Sequence, residues 1–338
     1  VDVIRPSINN CYAEFKAGTN KIFYGLGAIK SVGFEAISNI VNERENNGKF
    51  KTFTDFINRV DPKDVNKLQL EGLVKAGAFD EMDTNRRKLF EAIPKIIQTI
   101  KSKYDEKVSN QTNLFNETNN SDNEVFEFEK TKPWTKKELL SEEFISLGFY
   151  ISDHPLNEYK EFFTQLKIIS YKDFLEGNES EALVAGTIMS IQEKKSVKGN
   201  SYAIVKFSDN KSEYEIFLFA DIFASNREKL KESNSFILTL QKEQSTGENS
   251  LVRVNIKKIV DLLDLVNKTY EQVSIELSDI GKLKELNELL KNTGETKINV
   301  ILRDSSKNYL FELEKARKFD FNLFSLIKNK EYVKKIIF

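Results

Sequence analysis

The residues able to do chemistry in this chain are groups suited to recognition rather than to bond making. Gln111-Thr112-Asn113-Leu114-Phe115 lies in the Asn-rich run SNQTNLFNETNNSDNE. That run has too little apolar content to build a core. The Gln111 amide offers a donor and an acceptor, and Leu114 and Phe115 are shaped to fill an apolar pocket, so the pentapeptide has the makings of a docking peptide. A second set spans Ile29 to Ile40. Its central Ser31-Val32-Gly33 fits the tight turn of a helix-hairpin-helix unit. The backbone N–H groups of such a turn, with the N-terminus of the next helix, converge on one phosphate oxygen. Only small residues allow so close an approach. Ser31 stands where glycine is usual. Leu70-Glu71-Gly72-Leu73 followed by Lys75-Ala76-Gly77 is a looser second copy, and Lys30, Lys75, Arg86, Arg87 and Lys88 supply positive charge around both. Residues 19–108 carry 16 basic and 13 acidic side chains, compatible with modest non-specific duplex binding. A plain glycine turn between packed helices fits the same pattern. In the third set, Lys194, Lys195 and Lys198 fall in one predicted loop, with Tyr202 and Tyr214 on the neighbouring strands. Lysines beside stacking aromatics suit a single-stranded nucleic acid. Phe217 and Phe219 share one strand face and are expected in the core, with the two tyrosines facing out.

Other chemistries find little support. The chain has one cysteine, Cys11, and one histidine, His154, which excludes a disulfide framework, a zinc knuckle and a Cys/His catalytic pair. There is no apolar run of about 18 residues. No glycine-rich phosphate loop precedes a helix with Lys-Ser or Lys-Thr. No spaced carboxylate pair sits on an apolar strand as a two-metal site requires. Asp209 and Asp221 look like turn residues, and the acidic residues Glu117, Asp122, Glu124, Glu127 and Glu129 like solubilising charge. The net charge of −1 leaves any nucleic-acid binding to local patches.

The elements that must position these groups follow from periodicity. At 338 residues the chain is long enough for two or three domains, and the expected class is multidomain α+β. Residues 1–18 precede a helical domain over 19–108. There Ile37, Ile40 and Val41 make one helical stripe ending at Gly48, Thr54-Asp55 caps a short element, and Thr84 or Asn85 caps a helix from Arg86 to about Lys103 despite Pro94. Residues 109–133 read as a linker and 134–179 as a helical connector. Over 180–262 the period changes to two. ALVAGTIMSIQ, SYAIVKFSD, EYEIFLFAD, SFILTLQKE and SLVRVNIKKI are five strands, with the helix ASNREKLKES after the third. That is the order of an OB-fold barrel. Residues 263–338 predict a small α+β domain: a helix capped by Ser278 and closed by Gly294, a hairpin of INVILRD and YLFELEK, and a final helix FSLIKNKEYVKKI. Opening on VDVIRPSINN rather than Met, the chain is expected to be a fragment whose upstream parts are missing.

Together these stretches resemble the C-terminal third of the alpha subunit of bacterial DNA polymerase III, the replicative C-family DNA polymerase. The similarity rests on IFYGLGAIKSVGFEAISNIV, VNKLQLEGLVKAGAFDEMDTNRRKLFEAI, QTNLF and LGFYISDHPLNEY in that order, and PSINNCYAEF is similar to the end of the family's fingers region. The resemblance implies a tandem hairpin region holding duplex DNA through Lys30, Ser31, Val32, Gly33, Lys75, Ala76, Gly77, Arg86, Arg87 and Lys88. It also implies that Gln111, Leu114 and Phe115 dock on the β sliding clamp, that the barrel lies near single-stranded template, with Lys194, Lys195, Lys198, Tyr202 and Tyr214 as its contacts, and that the tail meets the clamp-loader τ subunit. Mg2+ and the catalytic carboxylates would belong to a palm region outside this chain, and the location would be cytoplasmic. Two alternatives remain. An error-prone paralogue generally lacks a good clamp motif and this tail. A repair or recombination module built from hairpin and barrel domains would lack a palm altogether.

Overall fold

The structure is a computed structural model, and it describes residues 1–109, 126–197, 199–244, 252–267, 270–303 and 308–337. The chain divides into two compact units, Val1–Asn157 and Glu158–Phe338. No helix among the described residues is long and apolar enough to cross a membrane.

The first unit opens with a small sheet in which β3 (Lys21–Phe23) lies between β1 (Asp2–Ile4), parallel to it, and β2 (Lys16–Gly18), antiparallel to it. A 3-10 turn at Leu26–Ala28 leads into α1 (Phe34–Asn47), followed by α2 (Phe53–Arg59), a second such turn at Pro62–Asp64, α3 (Lys67–Lys75), α4 (Arg86–Ser109) and α5 (Lys136–Leu147). The stripe expected on α1 is buried and extends one turn further, to Arg44. That guanidinium donates to the carbonyls of Ile8 (2.8 Å) and Cys11 (2.7 Å), so it closes the N-terminal segment onto the helix. On α4, Leu89, Ile93, Ile96 and Ile100 face the same core at helical spacing, and Pro94 sits on the opposite, exposed face, where the helix tolerates it. Two expectations need correction. The cap of α2 is Thr52, whose hydroxyl accepts from the Asp55 N–H, rather than Thr54. The end of the expected linker also belongs to the core: Phe126 and Phe128 pack on the helices, Phe128 edge-on to Phe53 at 5.6 Å, and Thr54 accepts from the Phe126 N–H. The acidic spacing in EVFEFEK hid this pair.

The second unit begins with α6 (Lys160–Gln165) and α7 (Tyr171–Glu176). Then β4 (Glu181–Lys195), β5 (Ser201–Ser208), β6 (Glu213–Leu218), α8 (Ala220–Asn226), β7 (Ser235–Gln244) and β8 (Val252–Asp261) follow. These five strands form one antiparallel sheet in the order β6-β5-β4-β7-β8. The long β4 serves two neighbours, pairing with β7 over Glu181–Thr187 and with β5 over Thr187–Lys195, with a bulge between Ile188 and Ser190. Such a bulge bends the strand and lets the sheet curl over its own core. Val184, Ile188, Val205, Phe207, Ile216, Leu218, Phe236 and Leu238 fill the inner face. Gly186 is required there, because a β-carbon on it would strike the Tyr214 hydroxyl and the Phe207 side chain.

After α9 (Leu262–Val266), a second sheet is built from β9 (Gln272–Leu277), β10 (Thr293–Arg303), β11 (Asn308–Glu312) and β12 (Val333–Ile337), with α10 (Leu283–Leu289) and α11 (Phe321–Lys328) between strands. Its order is β11-β10-β9-β12, with β9 and β10 parallel and the outer pairs antiparallel. The hairpin of β10 and β11 is as expected. The rest differs. The cap after β9 is Asp279, accepting from the Gly281 N–H, and Gly294 lies in β10. The last helix stops at Lys328, and the chain returns as β12.

Candidate nucleic-acid interface

The first hairpin is built by close packing beneath it. Ile29 and Val32 are buried, while Lys30, Ser31 and Gly33 are exposed. The Val32 N–H bonds back to the Ile29 carbonyl (3.1 Å) and the Lys30 N–H to the Ser146 carbonyl (3.0 Å), which pins the turn. Ser31 adopts φ +67°, a left-handed conformation that costs a non-glycine residue about 1–2 kcal/mol. Gly72 on α3 allows the approach, since a β-carbon there would meet the Lys30 carbonyl oxygen at 2.8 Å. Gly33 is the N-cap of the 14-residue α1 and gives it no side-chain cap. The uncapped first turn and the exposed Lys30 together suit an anion. Val32 contributes backbone only.

The second hairpin is closed, and this corrects several sequence assignments. Arg86 is only 5% exposed. It donates to Asp80 (2.7 Å) and to the Lys75 carbonyl (2.9 Å), and pairs with Glu143 (3.5 Å), which is 0% exposed. Burial works against the charge, but Asp80 and Glu143 hold the guanidinium above its ordinary pKa. The other Glu143 oxygen accepts from the N–H groups of Ile151 (2.8 Å) and Ser152 (2.9 Å). Arg86 therefore ties α4 to α5 and faces no phosphate. Gly77 takes φ +80° directly against the Arg86 side chain. Ala76 is buried. Lys75 is paired with Glu142 (2.9 Å) and lies over the Phe90 ring. Lys88 is held by Asp83 and the Phe128 ring, and Arg87 by Glu91 (2.9 Å) on a more open surface. No local pattern marks Arg86 as buried, because its partner Glu143 is 57 residues away.

On β6 and just after it the aromatic phase is the reverse of that expected, while Tyr202 on β5 faces out as expected. Tyr214 is 5% exposed, stacks on Tyr171 at 4.0 Å and donates to the Ala185 carbonyl (3.2 Å). Burial pushes its phenol well above the usual pKa. Phe217 and Phe219 are instead 50% and 58% exposed. Glu213 and Glu215 alternate in phase with Phe217 and could have revealed this, since Tyr214, Ile216 and Leu218 form the buried set. Tyr202 is half-buried, out of phase with the buried Ala203, Val205 and Phe207. Register places Lys194 opposite Tyr202 and Phe217 opposite Ile204. Lys194, Tyr202, Ile204 and Phe217 thus share the outer face, with Phe219 just beyond the strand end. Lys195 is exposed at the end of β4. Lys198, and Gln111, Leu114 and Phe115 of the pentapeptide, lie outside the described residues.

Among the described residues no group of three or more His, Cys, Asp or Glu side chains is arranged to hold a metal ion. His154 is a turn residue whose Nδ1 accepts from the Leu156 N–H (3.2 Å).

Comparison with known proteins places the chain. A model of the helix-hairpin-helix motif matches residues 1–89. DNA polymerase III subunit alpha of Borreliella burgdorferi is 29% identical over 334 residues, which are 94% of this chain and 29% of the relative. The protein of that name from Buchnera aphidicola is 30% identical over 337 residues, 98% of this chain and 27% of its own length. That from Rickettsia bellii is 35% identical over 205 residues, 60% of this chain and 17% of its own. The chain thus spans less than a third of the length of these relatives. A solved structure of the mitochondrial single-stranded DNA binding protein Rim1 of S. cerevisiae overlaps 25% of this chain and 95% of its own, at 17% identity and a TM-score of 0.21. By sequence, the chain is similar over most of its length to DNA polymerase III alpha subunits, and the helix-hairpin-helix match near its start fits the C-terminal region of that larger protein.

Proposed function

We propose that this chain is the DNA-binding and clamp-binding part of a replicative DNA polymerase III alpha subunit, supporting processive template-directed synthesis by the larger protein. The observation that carries the reading is the first hairpin: an exposed left-handed turn at Ser31 set directly before the uncapped N-terminus of α1, with Lys30 beside it. That turn offers backbone donors to a phosphate and no base-reading groups, so binding is to duplex backbone without sequence preference. Lys30, Ser31, Gly33 and the more open Arg87 form the contact surface, and the Arg86 hairpin supports it. The domain limits in this reading are 19–108 for the hairpin domain, 109–133 for the clamp-binding linker, whose end packs on the helices through Phe126 and Phe128, 134–179 for a connector, 180–262 for an OB-fold barrel and 263–338 for a τ-binding-like domain. The barrel assignment draws on the β6-β5-β4-β7-β8 order and on the approach of β8 to β6. Its outer aromatics Tyr202, Phe217 and Phe219, with Lys194 and Lys195, are the proposed single-strand surface. Gln111, Leu114 and Phe115 are the proposed clamp peptide, and catalytic Mg2+ is assigned to a palm region outside this chain.

The test is fluorescence anisotropy of the whole chain with labelled random duplexes. Two to four phosphate contacts give a log–log salt slope of roughly −2 to −4, and Lys30→Ala reduces it by about 1. No binding at low salt, or a strong preference among random duplexes, would overturn the reading. For the clamp peptide, Leu114→Ala with Phe115→Ala is expected to abolish most of the heat of binding to a β sliding clamp, because pocket anchors dominate such contacts.

A further inference from the structure

Most sheet edges in this fold are closed, short or guarded. In the five-stranded sheet the two end strands, β6 and β8, approach each other. The edge strands β1 and β2 have only three residues each. β12 carries Lys334 and Lys335 and a register shift between Val333 and Lys335, and both features discourage pairing. β11 has none of these protections. Among the described residues it pairs on one side only, with β10. Tyr309, Leu310 and Phe311 are exposed in succession along it, Leu310 to 67%. An open edge this apolar is a template for another strand.

The backbone phase decides which strand fits. The Leu313 N–H donates to the Ile298 carbonyl (3.0 Å), one step beyond the pairing of Glu312 with Asn299. Counting back in twos, Phe311 and Tyr309 turn their backbone groups toward β10, and Asn308, Leu310 and Glu312 turn theirs outward. An antiparallel partner must present its free groups in the same phase, place apolar residues opposite Tyr309 and Phe311, and place no acid opposite Glu312. A second β11 meets all three conditions. With a two-fold axis at Leu310, that residue faces its own copy as a hydrogen-bonded pair, and Glu312 faces Asn308 of the second copy in the same way. Tyr309 faces Phe311 across the closer, non-hydrogen-bonded pairs. We propose that β11 is a self-association edge: two copies of this chain pair through antiparallel β11 strands about Leu310, joining their four-stranded sheets into one. The pairing needs neither nucleic-acid surface.

The experiment is sedimentation equilibrium of the whole chain without nucleic acid. One strand pair is smaller than a standard interface, so a weak dimer is expected, with a dissociation constant on the order of 10–100 μM. Over that range the mass should rise from 39.0 kDa toward twice that value. Leu310→Lys sets like charges against each other on the axis and is expected to weaken the dimer roughly 10-fold or more. The position is exposed, so the melting temperature should not change. Two further variants test the register. Tyr309→Lys and Phe311→Glu are each expected to weaken self-association, and an equimolar mixture of the two to restore it, because opposite charges then face each other. A parent that stays monomeric through the range would overturn the proposal and leave the edge to a strand of another protein. Equal dimerisation by Leu310→Lys would overturn it too, since the copies would then meet elsewhere. If Leu310→Lys melts lower as well as failing to dimerise, the mixture decides, and no recovery there rules the pairing out.

Discussion

Arg86 shows how one residue can look like a ligand and act as a frame. In sequence it begins the run Arg86-Arg87-Lys88 after a glycine hairpin, which suggests a phosphate contact. In the fold the three diverge: Arg86 turns inward to Asp80 and Glu143, Lys88 is held against Asp83, and only Arg87 lies on an open surface. Removing one partner of a buried pair strands the other charge, which typically costs about 3–5 kcal/mol. Arg86→Met is therefore expected to lower the urea midpoint sharply. Adding Glu143→Gln should restore part of that loss, because a neutral amide oxygen still accepts from Ile151 and Ser152 while the unpaired charge is gone. No recovery in the double variant would show that the charge of Glu143 is not what Arg86 balances. Sequence could not separate Arg86 from its neighbours, since the distinction is made by a carboxylate on α5.

Elements whose period matched their burial were legible, and those whose exposed edges carry mixed signals were not. The five strands from β4 to β8 are apolar runs of strand length separated by polar turns, so their order is legible. The phase of β6 is set by the alternation of Glu213 and Glu215, which outranks the size of its aromatic side chains. β12 reads as helix in the sequence because Lys334 and Lys335 interrupt its apolar residues, yet such lysines are how an edge strand guards its open side. The turn after α5 offers a pH test at this scale. Burial alone would raise the Asp153 pKa, but Lys136 at 2.5 Å, the Asn157 side chain and the His154 N–H bring it down to about 2. A depressed carboxylate stabilises the fold above its unfolded value near 3.8 and loses that contribution as the pH falls through about 2. The pair is partly exposed, so its worth is at most about 1 kcal/mol. Asp153→Asn is expected to be less stable than the parent at neutral pH, with the difference closing between about pH 4 and 2. A constant difference across that range would remove Asp153 from the account.

At the scale of the molecule, a net charge of −1 leaves any nucleic-acid affinity to local patches, and the two proposed surfaces lie one in each compact unit. The hairpin surface rests on the core of Ile29, Leu70, Leu73 and Leu89, and the aromatic face on the core of Val205, Phe207, Ile216 and Leu238. These cores belong to different compact units. Substitutions in the core of one unit are expected to leave the fold of the other unchanged, since contributions of residues without shared partners add. Phe217→Ala with Phe219→Ala is expected to cost roughly 1–3 kcal/mol per stacked base toward an oligothymidine. Both rings are exposed, so the melting temperature should change little. The same protein should bind blunt duplex as the parent does. Lys30→Ala should give the converse pattern. Tyr214→Ala serves as the control, because it removes a buried ring and is expected to lower the melting temperature by several degrees. If the double phenylalanine variant weakens duplex and oligothymidine equally, the two surfaces are not independent. If it weakens neither, the exposed aromatics of β6 bind no single strand, and the outer face of the sheet must serve another partner.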